Sequence, residues 1–150
     1  MPFGNELKTL VAISPNDLSH IWPEIRAEVA TIETPDGLIP EDVFMACKSN
    51  NAVLFMLNVG QKRVGWMVVR NFGTDLHIWQ LRADNGYEVM TSFRPQLMEI
   101  ARNAGCTKIT YGSTREAWNK VSKQHGFKIR MVVYECPVDS LISPDEQAAN

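Results

Sequence analysis

The stretch from residue 76 to residue 105 constrains this chain most. A β-rich run, Leu76-His77-Ile78-Trp79-Gln80-Leu81, passes through a polar turn, Arg82-Ala83-Asp84-Asn85-Gly86, into a helical pattern that closes at Ala104-Gly105. A strand that enters a helix through a Gly-containing turn leaves the first backbone N–H groups of the helix unpaired and aimed at the turn, where a phosphate can accept from them. The remaining segments must supply a sheet and helices around that step.

Residues 7–13 are β-compatible and stop at Ser14-Pro15, an N-cap followed by a first-turn proline. Leu18, Ile21, Trp22, Ile25 and Val29 recur at three and four and predict a helix to about residue 32, in which Pro23 predicts a kink or two short helices. Thr34-Pro35-Asp36-Gly37 is a turn, and Pro40-Glu41-Asp42 opens a short helix through Cys47. Residues 52–59 and 63–71 read as strands joined by Gly60-Gln61-Lys62, and the strand at 76–81 completes an antiparallel meander.

Phe93, Leu97, Ile100, Ala101 and Ala104 mark one face of the next helix, with Gly105 as its left-handed C′ residue. An interior proline costs about 3 kcal/mol, so Pro95 belongs in the first turn and the regular helix begins near Thr91 or Ser92. A strand at 107–111, a helix at 114–124 with Trp118 and Val121 inward, and a strand at 127–136 complete the order. This order predicts an α+β fold, a mixed, mainly antiparallel sheet flanked by helices, as one domain over residues 1–138 with a flexible tail at 139–150.

Composition excludes several roles. Fifteen basic and seventeen acidic residues leave a formal charge of -2, which gives no sequence-wide attraction to nucleic acid or an anionic membrane. The apolar run at 51–59 is far short of a membrane span, and the first residues lack the order of a signal peptide, so a cytoplasmic location is expected. Cys47, Cys106 and Cys136 are widely spaced without a CxxC, and read as small buried apolar residues rather than disulfides or zinc ligands. His20, His77 and His125 lack a carboxylate at metal-ligand spacing, so no metal site is expected.

The order of elements, with Gly105-Cys106 after the long helix and Gly126-Phe127 after the last one, resembles the GCN5-related N-acetyltransferase (GNAT) superfamily over roughly residues 7 to 136. The resemblance implies acetyl-CoA lying where two strands splay beside the main helix, with backbone amides at the helix start holding its pyrophosphate. It places that loop at Asn85-Gly86-Tyr87-Glu88-Val89-Met90, where only Gly86 keeps a glycine position. Cofactor contacts are therefore expected from Leu81, Arg82, Asn85, Gly86, Tyr87, Thr91 and Ser92. Glu88 opposes them, since two like charges ~4 Å apart repel by roughly 4 kcal/mol at an effective dielectric of ~20, while Arg82 and the hydroxyls of Thr91 and Ser92 compensate in part. Ser122 stands where the family carries a tyrosine that protonates the leaving thiolate, and Arg115 where it carries an asparagine.

The activity this implies is acetyl-CoA-dependent acyl transfer to an amine, on a small molecule or a protein, by direct attack. A second reading is a GNAT-fold protein without catalysis; the degenerate loop is similar to that of GNAT-related proteins of short-tailed bacteriophages, which implies virion or assembly partners, or a homodimer. His77 is read two ways, as a general base facing the amine or as a partly buried histidine satisfied by a carbonyl. Trp22, Trp66, Trp79 and Trp118 are read as packing residues, with Trp79 beside the cleft. Glu41, Asp42 and Glu135 are read as solvated acids or as groups steering a basic amine.

Overall fold

The first strand, β1 (Lys8–Ile13), runs into helix α1 (Pro15–Ala30) through Ser14, whose hydroxyl accepts from the Asp17 N–H at 3.3 Å as the sequence predicts. In this computed structural model the described residues are 6–32, 34, 36–113 and 122–144. Contacts divide the chain into two compact units, Met1–Thr114 and Arg115–Asn150.

Helix α1 is one helix, against the expectation of a break at Pro23. Pro23 lies on its exposed side, so the carbonyl it leaves unbonded faces water, while Leu18, Trp22, Ile25 and Val29 are buried on the other side. Helix α2 (Pro40–Lys48) comes next, its first turn closed by the Asp42 carboxylate accepting from the Ile39 N–H at 2.9 Å. Arg26 of α1 reaches Glu41 of α2 at 2.6 Å, and the guanidinium lowers the Glu41 pKa.

The meander forms as β2 (Val53–Val59), β3 (Lys62–Phe72) and β4 (Asp75–Ala83), and strand order is β1-β2-β3-β4-β5 with β5 spanning Lys108–Tyr111. All pairs are antiparallel except β4 with β5. One sheet face is covered by α1 and α2 around Trp66, Val68, Leu54 and Met56. The other carries Leu57, Val64, Met67, Leu76 and Ile78 against Val89, Phe93, Leu97 and Ala101. That is why two successive runs in β2 and β3 read as almost continuously apolar: both faces are buried.

The helix after β4 is split into α3 (Val89–Ser92) and α4 (Arg94–Asn103) by Phe93, which adopts φ -120, ψ 21. The regular helix thus begins later than the expected Thr91 or Ser92, and Pro95 falls in the first turn of α4, where its missing N–H costs nothing. Phe93 is fully buried, so a core anchor offsets the break. At the other end the Gly105 N–H donates to the Arg102 carbonyl and the Cys106 N–H to the Ala101 carbonyl, with Gly105 at φ +72. This is a Schellman closure, and it explains the Gly-Cys pair physically.

In the second unit, residues 122–124 are helical and the same closure recurs: Gly126 N–H donates to Lys123 and Phe127 N–H to Ser122, with Gly126 at φ +86. The Gly-Phe pair is thus a helix terminator too. The expected strand at 127–136 is not formed; Ile129, Met131, Val133 and Tyr134 are exposed, and alternation without a ladder partner does not make a strand. A 3-10 turn occupies Val138–Ser140. The expected Trp118 and Val121 packing, Arg115, and the end of the tail at 145–150 lie outside the described residues. Among the described residues no helix is long and apolar enough to cross a membrane.

Candidate active site

Strands β4 and β5 run side by side only from Asp75↔Lys108 to Ile78↔Tyr111. Beyond that pair β4 continues through residues 79–83 while β5 has ended, so among the described residues this edge of β4 has no partner strand and a wedge opens along it. Outward N–H and C=O groups on such an edge are available to an extended ligand, which can pair with them as another strand would.

The wedge starts at a β-bulge. Val68 pairs with Gln80 and Val69 with Ile78, which leaves Trp79 without an opposite residue. Leu76 and Ile78 face the α4 side, yet Leu81 rather than Gln80 rejoins that side; Trp79 and Gln80, though successive, both face α1 and α2. The sequence carries the bulge as a phase slip in the spacing Leu76, Ile78, Leu81.

His77 lies just below the opening. Its Nδ1 is 2.9 Å from the Thr110 hydroxyl on β5, and its ring is 5.7 Å from that of Phe72. Burial, then the positive charge of Arg70, lowers its pKa, and Asp75 opposes them. The ring is therefore neutral at pH 7. It has basic Nε2 in the tautomer whose Nδ1–H donates to Thr110. The partner is a hydroxyl and not the backbone carbonyl expected for a merely satisfied histidine.

After β4 the chain turns at Asp84, whose carbonyl accepts from Tyr87 N–H at 3.1 Å, with Gly86 at φ +91 in the third turn position. That geometry is a type II turn and favours glycine at that position. A recess of about 410 Å³ is lined by Ala83, Asp84, Asn85, Gly86, Tyr87, Glu88, Thr91 and Ser92. The structure thus brings together Asn85, Gly86, Tyr87, Thr91 and Ser92 of the expected cofactor residues. Leu81 is instead packed toward the α4 core, and Arg82 forms an ion pair with Glu28 of α1 at 2.6 Å, away from the recess lining. Ser122 belongs to the second unit, half-buried, its carbonyl in the helix closure.

Glu88 sits at the start of α3, where its carboxylate accepts from the Thr91 hydroxyl at 3.4 Å. Burial and that carboxylate raise the Tyr111 pKa, so the field of Glu88 reaches the mouth of the wedge. A single-turn α3 also offers less aligned dipole than the long helix the sequence predicts. Among the described residues the recess is lined by Asp84 and Glu88 and by no cation, so it gives a diphosphate no charge support from them.

The three cysteines separate. Cys47 and Cys106 are buried as expected, and burial raises the Cys47 thiol to about 11; Cys136 is exposed, against the expectation for all three. Trp22 and Trp66 are buried packing residues, and Trp79 is partly buried. His20, His125, Glu41, Asp42 and Glu135 are exposed. Among the described residues no group of three metal-ligating side chains forms.

No family model matches the chain, and no curated relative matches it in sequence. Its fold is nevertheless that of several solved acetyltransferases. A ribosomal-protein-alanine N-acetyltransferase from Brucella melitensis biovar Abortus 2308 superposes with TM-score 0.64 at 12% identity, over 87% of this chain and 99% of that one. A predicted acetyltransferase with acetyl-CoA from Clostridium acetobutylicum gives 0.59 at 12% over 90% and 99%. An aminoglycoside acetyltransferase from an uncultured soil metagenomic sample, in complex with sisomicin, gives 0.58 at 13% over 87% and 96%. The α+β fold is thus the GNAT fold that the element order implies.

Proposed function

We propose that this protein transfers an acyl group from an acetyl-CoA-like thioester to an amine. The observation that carries the reading is the wedge along residues 79–83 of β4, opening at a bulge beside a histidine held neutral. Solved proteins of this fold bind CoA and amine substrates, among them sisomicin and a CoA-linked bisubstrate analogue. The thioester supplies an activated acyl carbon when bound.

The chain's own part is positioning and proton movement. Edge groups of residues 79–83 hold the arm in line, and Asn85, Gly86, Tyr87, Thr91 and Ser92 border its far end. His77 Nε2 takes the proton that the amine loses as its C–N bond forms, in the tautomer whose Nδ1–H donates to the Thr110 hydroxyl, and that contact holds the ring in place. Because Arg82 is occupied by Glu28, affinity comes from the arm more than from the diphosphate.

Incubation with acetyl-CoA and a panel of amines, with thiol release and product mass as readouts, tests the reading. Acyl transfer that falls at least roughly a hundredfold in His77→Gln supports it. Absence of any thermal stabilisation by millimolar acetyl-CoA overturns it, because a ligand at one hundred times its Kd adds about 2.7 kcal/mol; that outcome favours a non-catalytic binding protein.

A further inference from the structure

We propose that Arg70 makes the acceptor end of this site an anion-recognition point, so that the amine received beside His77 is one carrying a carboxylate. The transfer step after binding rests on the acyltransferase reading; the anion site itself stands on the geometry of β3 and β4. Arg70 is directly opposite His77 across the two strands. Its guanidinium carbon lies 4.5 Å from the centre of the Trp79 ring and 4.9 Å from that of Phe72. Two aromatic faces hold the plane of the guanidinium, yet neither offers a hydrogen-bond acceptor.

The guanidinium is correspondingly undersupplied. Its Nε is buried with no hydrogen-bond partner among the described residues. Arg26, Arg63 and Arg82 each sit in an ion pair with a glutamate, whereas among the described residues no carboxylate is within ion-pair distance of Arg70. Asp75, two residues before His77, makes contacts of its own. A planar guanidinium with no carboxylate beside it among the described residues is matched by a carboxylate, which takes two parallel N–H bonds.

The Phe72 ring lies 4.9 Å from the guanidinium and 5.7 Å from the His77 ring, so a carboxylate on Arg70 and an amine at His77 suit the two ends of one small ligand. The acceptor class is then a small amino acid. A polycation is disfavoured twice, by Arg70 itself and because Glu24, Glu28 and Glu41 are already neutralised by arginines.

A matched pair of ligands tests this on the free protein: N-acetylglycine, which carries the carboxylate, against N-acetylglycinamide, which does not. Titration monitored by the ring resonances of His77 and Trp79 should show the carboxylate binding roughly tenfold or more tighter. That preference should vanish in Arg70→Gln and persist in part in Arg70→Lys, which keeps the charge without the fork. Equal binding of the two ligands to the unaltered protein, or a preference surviving Arg70→Gln, overturns the proposal. Turnover with glycine and methylamine separates the two claims: carboxylate binding through Arg70 with no CoA release removes the acyltransferase reading alone, and transfer without carboxylate preference removes the anion site alone.

Discussion

Replacing Glu88 by glutamine removes one carboxylate from the recess after β4 while keeping a side chain that can still accept from Thr91. A unit charge ~4 Å from a phosphate charge costs about 1 kcal/mol in water and about 4 kcal/mol at an effective dielectric of ~20. The recess is open and Glu88 is exposed, which places the real figure near the lower end. Screening over a Debye length of about 8 Å leaves a contact at half that distance largely intact. The expected gain is about 1–2 kcal/mol, or roughly five- to thirtyfold tighter CoA binding. Calorimetric titration of CoA and of pantetheine into both proteins reads it out. Pantetheine lacks the diphosphate, so its affinity should not change. Unchanged CoA affinity, or equal gains for both ligands, would refute the electrostatic reasoning.

Other consequences can be measured as directly. Because the His77 pKa is lowered, its base form persists below pH 6.5 and the acid limb of kcat/KM should fall only beneath that pH; Arg70→Gln should move the limb upward, since burial, Arg70 and Asp75 set it and only the Arg70 contribution is removed. Gly65→Ala drives a Cβ into the Arg82 carbonyl, a backbone atom of β4 that cannot step aside, and should destabilise by roughly 1–3 kcal/mol or more in denaturant unfolding. Under Ellman's reagent at about pH 8 Cys136 should react fast while Cys47, buried with its thiol raised to about 11, reacts only on unfolding.

Local chemistry made much of the fold legible. Ser14-Pro15, the Gly60 turn and Gly105 each announce an element boundary through a cap or a positive φ, and each boundary forms where expected. Pro23 misled because a proline's effect depends on which side of the helix it occupies, and that is decided by Trp22 and Ile25 burying their side. Residues 127–136 misled because an apolar, β-compatible run states what a strand would need and not whether a partner strand is present.

The site was legible in outline only. The turn at 84–87 and His77 could be located from the chain, since a type II turn and a strand position are local properties. Arg82 could not, because its partner Glu28 is distant in sequence and belongs to α1. Arg70, Phe72 and Thr110 were missed because a cross-strand cluster depends on register, which the turn at Gly73-Thr74 sets between β3 and β4 and the pairing of distant β5 sets for Thr110.

Backbone amide mapping with acetyl-pantetheine and with acetyl-CoA tests the central claim, that the open edge of β4 receives the acyl donor. The account predicts saturable shifts and slowed amide exchange at residues 79–83 with both ligands, extending into 84–92 with acetyl-CoA alone. Perturbations confined to other elements, or an edge that exchanges at the same rate with and without ligand, would contradict it.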